Sequence, residues 1–93
     1  MTMNEREFLK SAGLQVQVLE FWITREWLVP QPEPDGRRFT DMDLARVRLI
    51  RELQSELGAN DAGVDVILHL MDQLHGMRQV LAQLRQELQK PSP

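Results

Sequence analysis

The last third of the chain carries an apolar stripe that a small domain cannot cover by itself. From Ile67 through Leu70, Leu74, Met77, Leu81 and Leu84 to Leu88, large apolar residues are separated by alternating steps of three and four. That is a heptad seam. Ile67, Leu74, Leu81 and Leu88 take one of its two inward positions and Leu70, Met77 and Leu84 the other, flanked by Arg78 and Arg85 on one side and Gln73 and Glu87 on the other. A helix from Ala62 to Lys90 would be about 43 Å long at ~1.5 Å per residue. In a chain of 93 residues, the remaining two thirds cannot build a surface of that length, so the stripe predicts a homodimer through these seven side chains. Gly76, in the middle, weakens the helix by roughly 1 kcal/mol relative to alanine and marks a point of bending. Pro91-Ser92-Pro93 ends the helix and is expected to form a disordered tail.

Upstream, the apolar residues Phe8, Leu9, Ala12, Leu14, Val16, Val18, Leu19, Trp22, Ile23 and Trp27 fall largely at helical spacings, interrupted at Gly13. The pattern predicts two short helices, Asn4–Ser11 and Gln15–Trp27, joined as a helix-turn-helix. Proline at 30, 32 and 34 then excludes a helix. With Asp35-Gly36 supplying the turn, Val29 to Phe39 reads as an edge hairpin, or wing. Thr40 followed by Asp43 has the form of a capping box and starts a third helix, on which Met42, Leu49, Ile50, Leu53 and Leu57 share a side until Gly58 stops it. Asn60 or Asp61 caps the last helix. The fold class expected is therefore all-α with a short β-wing, organised as a winged region over 1–60 and a dimerisation helix over 61–90.

Composition excludes more than it assigns. With no cysteine, neither a disulfide nor a thiolate metal site is available. No apolar run approaches the roughly 20 residues of a membrane span, and Met1 to Glu7 lacks the basic-then-apolar order of a signal peptide, so a soluble cytoplasmic protein is expected. Eleven basic against fourteen acidic side chains, a net charge of −3, runs against tight nucleic-acid binding, which depends on Lys and Arg at phosphates. No nucleophile elbow, phosphate loop or paired-carboxylate motif is present, so neither catalytic residues nor a cofactor are expected. Asp65, His69 and Asp72 share one helix face at i, i+4 and i+7, but one helix without cysteine supplies too few ligands for a structural metal, and no metal site is expected.

In so small a domain Trp22, Trp27, Phe8 and Phe39 are expected in the core, while Phe21 stays open as a surface anchor. Arg37, Arg38, Arg46, Arg48 and Arg51 form the only basic cluster.

The order of these pieces resembles the winged-helix module of MerR-type regulators: helix-turn-helix, Trp27-Leu28-Val29-Pro30, Gly36-Arg37-Arg38-Phe39, Asp43 to Ile50, then a dimerising helix. Within that superfamily the chain is similar to the CbpM chaperone modulators, on Val29-Pro30-Gln31-Pro32, Arg46 to Leu53, Gly63 to Leu68, and Leu70-Met71-Asp72 running into a Leu/Gln/Arg-rich helix. DNA-binding relatives usually place an arginine before two aromatics in the second helix, whereas this chain has Glu20-Phe21-Trp22. The acid repels phosphate. The resemblance thus implies a bacterial adaptor that binds the J-domain of a CbpA/DnaJ-like co-chaperone and inhibits its action with DnaK, an Hsp70. A MerR-like DNA-binding transcriptional regulator is the alternative. Docking to a J-domain implies acids that project from rigid elements without internal partners. Asp65 and Asp72, at the heptad position farthest from the seam, and Glu52 and Glu56 on the preceding helix, are the candidates.

Overall fold

The computed structural model describes residues 2–90; the tail expected at 91–93 lies outside the described residues. The elements run β1 (Thr2–Met3), α1 (Glu5–Ala12), α2 (Val16–Thr24), β2 (Gln31–Glu33), β3 (Gly36–Thr40), α3 (Asp41–Ser55) and α4 (Asp61–Gln89).

Local chemistry sets most of these boundaries. Asn4 and Glu7 form a capping box at α1, and Thr40 and Asp43 form the one expected at α3. Asn60 caps α4 by accepting from the Gly63 N–H at 2.8 Å. α1 stops at Gly13, which adopts a left-handed φ of 65° that favours glycine. The carbonyls left free there are taken by Arg51 of α3, whose guanidinium donates to the oxygens of Ala12 and Gly13 at 2.6 Å each. One side chain thus closes the helix-turn-helix onto α3.

Three features differ from the sequence expectation. α2 ends at Thr24 rather than Trp27, because Glu26 takes a left-handed φ of 61° and the Trp27 N–H turns back to the Trp22 carbonyl at 2.9 Å. The two turn residues of the hairpin are Pro34-Asp35, not Asp35-Gly36, since Glu33 pairs with Gly36. Proline's fixed φ suits the first turn position and pushes the glycine into the strand. The sheet also has a third member: β1 pairs antiparallel with β3, Thr2 opposite Thr40 and Met3 opposite Phe39, giving the order β1-β3-β2.

The core forms where α1, β3 and α3 meet. Phe8 and Phe39, both fully buried, stack with centroids 4.2 Å apart and planes 9° from parallel. Leu19, Trp22, Trp27, Leu28, Val47, Ile50 and Leu53 fill the rest. Met42 and Leu57 do not join them and are exposed. Met42 lies in the first turn of α3 and Leu57 beyond its last residue, so the inward stripe is Val47, Ile50 and Leu53 instead.

α4 is docked by its first turns alone. Val64 and Leu68 are buried and Ile67 is partly buried against the core, whereas Leu70, Leu74, Met77, Leu81, Leu84 and Leu88 are all exposed in the single chain. Val64 and Leu68 lie beside the heptad seam and only its first residue, Ile67, touches the core, so the domain holds α4 and leaves the seam from Leu70 onward facing outward.

Candidate interaction surface

Two faces carry the candidate side chains: the α2 and wing face, and the cleft where the end of α2 and α3 meet α4. Across the first, Arg37 of β3 reaches Glu20 in the middle of α2 through both terminal nitrogens, at 2.9 and 3.2 Å, with Glu5 of α1 at 3.5 Å. The bond to Glu20, aided by the charges of Glu20 and Glu5, raises the Arg37 pKa above its ordinary value. Arg38 donates to Gln31 at 2.8 Å and pairs with Glu33 at 3.4 Å along the hairpin. Phe21 of α2 is 42% exposed, its ring edge-on to Trp27.

In the cleft, Asp65 of α4 accepts from the Trp27 indole N–H and from the Arg25 guanidinium. Arg25 also lies 5.7 Å from the ring centres of Phe21 and Trp27, close enough for cation–π attraction. About two helical turns further on, Asp72 takes both terminal nitrogens of Arg46, at 2.8 and 2.9 Å, while the Arg46 Nε donates to the Trp27 carbonyl. The Trp27 and Arg25 bonds hold the Asp65 carboxyl below the usual carboxylate range, and Arg46, with smaller help from His69 and His75, does the same for Asp72. The result is a two-point polar latch fixing α4 to the winged domain.

The latch corrects the reading of Asp65 and Asp72 as partner-free acids. Both lie at the heptad position farthest from the seam, but in the first turns of α4 that outer face is turned toward the chain's own domain. Two signals pointed there: Val64 and Leu68 form a second apolar pair at i, i+4 outside the seam, and these acids adjoin it. Arg25, Trp27 and Arg46, the residues that answer them, could not be paired from sequence. Glu52 and Glu56 are exposed near the end of α3, without side-chain partners in the structure and away from the latch. His69 meets only Gln73 of its own helix, and among the described residues no group of three or more His, Asp or Glu could hold a metal ion. Nor, among these residues, is any helix long and apolar enough to cross a membrane.

A family model described as MerR HTH family regulatory protein matches residues 3–86. The chain belongs to the MerR helix-turn-helix family. MerR-family architecture accounts for the whole arrangement: a mostly helical winged helix-turn-helix, a small antiparallel wing and the long C-terminal helix 61–89. The crystal structure of HiNmlR, a MerR family regulator lacking the sensor domain, bound to promoter DNA, matches with a TM-score of 0.66 at 20% identity, covering 95% of this chain and 79% of that one. At that identity the likeness is one of fold. No curated protein matches the chain.

Proposed function

We propose that this MerR-family chain is a dimeric regulatory adaptor that works by binding protein, engaging the J-domain of a CbpA/DnaJ-like co-chaperone and inhibiting its action with DnaK. One observation carries the protein-binding reading: each cation from α2 through the wing, Arg25 in the cleft included, is already held by an acid of the same chain. Arg25 is paired with Asp65, Arg37 with Glu20, and Arg38 with Glu33. Residues 15–40 contain four acids against three arginines, so a duplex would meet no surplus of positive charge there. Phosphate binding draws on free Lys and Arg. The choice of a J-domain rests on the CbpM-like residues. The winged region 1–60 would carry recognition and the helix 61–90 would pair two copies through Ile67, Leu70, Leu74, Met77, Leu81, Leu84 and Leu88.

A second reading, a DNA-binding transcriptional regulator, is favoured by the match to HiNmlR, which is bound to promoter DNA. Polarisation assays at moderate salt separate the two. The adaptor binds a purified J-domain and shows no preferred sequence in selection from a random duplex pool; recovery of a palindromic motif makes the chain a transcriptional regulator. Specific operators are held ~10³-fold or more tighter than random DNA, so the distinction is large.

A further inference from the structure

Glu26 combines three properties that no other described acid brings together. It is the only described residue other than glycine with a positive φ, 61°. Glycine occupies such a position without strain, and a β-carbon there is disfavoured, so the side chain is retained against a local conformational cost. The structure records no hydrogen bond or ion pair for its carboxylate, in contrast to Glu5, Glu20, Glu33, Asp65 and Asp72. It also stands at the rim of an apolar groove between α2 and the wing, lined by Ile23, Val29, Pro30 and Pro32. Val29 is 73% exposed there, although its neighbour Leu28 is fully buried.

The charges around the groove decide what it fits. Its one cation, Arg37, is occupied by Glu20 and approached by Glu5, so acid is in excess and an anionic partner would be repelled. Main-chain pairing along the outer edge of β2 is poorly served, because Pro30, Pro32 and Pro34 carry no N–H to donate. Side-chain docking of a helix remains. We infer that Glu26 and the groove beneath it form the docking surface for an amphipathic helix of a partner protein, apolar residues seated on Val29, Pro30 and Pro32 and a cationic side chain on the Glu26 carboxylate. This inference rests on the protein-binding reading above and names the surface that carries it.

The test sets stability against binding, which a purely structural role would move together. Glu26→Gly relieves the backbone and should raise Tm by several degrees, while weakening capture of a purified J-domain about tenfold and reducing its salt dependence. Glu26→Gln, which keeps the strain and removes the charge, should weaken binding similarly without the gain in Tm. Val29→Asp alters an exposed side chain and should abolish binding with Tm unchanged. Wild-type binding to the J-domain with unchanged affinity in all three variants overturns the docking surface and leaves the adaptor reading intact. If the wild type does not bind the J-domain, the adaptor reading fails. The variants are then compared on a synthetic Leu/Lys amphipathic helix: wild-type binding that the three substitutions weaken supports the surface, and absence of binding overturns it too.

Discussion

Arg37 of the wing lies across Glu20 of α2 with both terminal nitrogens on the two carboxylate oxygens, at 2.9 and 3.2 Å. The pair ties together the two elements that a winged helix-turn-helix would use on DNA, and it neutralises both. It does so at a half-exposed site, with 34% of the Arg37 side chain and 47% of Glu20 accessible. Ion pairs of this exposure contribute about 0–1 kcal/mol. Their consequence here is for the charge of the face and much less for the fold.

The first prediction reverses that charge. Glu20→Arg releases Arg37 and adds a guanidinium on the same face, so non-specific duplex affinity at low salt should rise at least tenfold. In a dimer, four more free cations would steepen the dependence of log K on log salt by about 0.9 each. Tm should stay within a few degrees of the wild type. Fluorescence polarisation on a random 20-mer across a salt series reads both quantities, and an unchanged slope would show that this face does not meet phosphate.

The second prediction concerns the core. Phe8 and Phe39 are stacked and wholly buried, so Phe8→Ala leaves a cavity under the junction of α1 and the wing and should cost about 3–5 kcal/mol. Net stabilities are commonly only 5–15 kcal/mol. The variant should therefore unfold at a much lower urea midpoint, and a loss below 1 kcal/mol would mean that the stack is not the centre of the fold.

How far could these elements be read in advance? Capping boxes and proline act over three or four residues, which is why Thr40-Asp43, the proline-rich wing and Asn60 were legible in the sequence. The aromatic core was legible too, because a domain this small has no other place for Trp22, Trp27, Phe8 and Phe39. What failed was pairing over distance. Arg25 with Asp65 and Arg46 with Asp72 are separated by 40 and 26 positions, and the heptad pattern alone assigned both acids to solvent. The pattern describes which face a second helix would cover and is silent about where the chain's own domain attaches. Glu26 was invisible for a different reason: nothing in Arg25-Glu26-Trp27 announces a left-handed residue where a glycine would ordinarily stand.

The third prediction follows from the latch. The Asp65 and Asp72 carboxyls are held below the ordinary value of 3.8. A carboxyl whose native pKa is depressed stabilises the fold at pH above its unfolded value and loses that contribution as pH falls through the native one. Asp65→Asn and Asp72→Asn should therefore lower Tm at neutral pH, and the gap to wild type should close at pH well below 3.8. Hydrogen exchange should place the loss at residues 61–72 before the rest of the domain. A gap that persists undiminished in acid would mean that the two asparagines act by misfitting the cleft, and the latch would have no electrostatic content.

The last prediction is the dimer. Leu74, Met77, Leu81, Leu84 and Leu88 are between 49% and 86% exposed in the single chain, and Val66 and Val80 widen the same strip at 58% and 56%. A soluble monomer rarely presents so continuous an apolar line, and Val64 and Leu68 already use the adjacent face for the winged domain, so this domain cannot fold back over the seam. Two copies can. Sedimentation equilibrium at tens of micromolar should give twice the 10.8 kDa chain mass. Leu74→Asp with Leu81→Asp should abolish association, because two charges without partners would be buried in each chain. The position of the latch makes a sharper expectation possible. Val64, Asp65, Leu68 and Asp72 hold the first turns of α4 independently of the seam, so the double variant should lose helix from the C-terminal half of α4 while the winged domain and the Trp22–Trp27 environment persist. Far-UV dichroism should fall with tryptophan fluorescence unchanged. Complete unfolding of the double variant would show that the domain depends on its partner chain for stability, and a wild-type monomer with α4 intact would remove the dimer altogether.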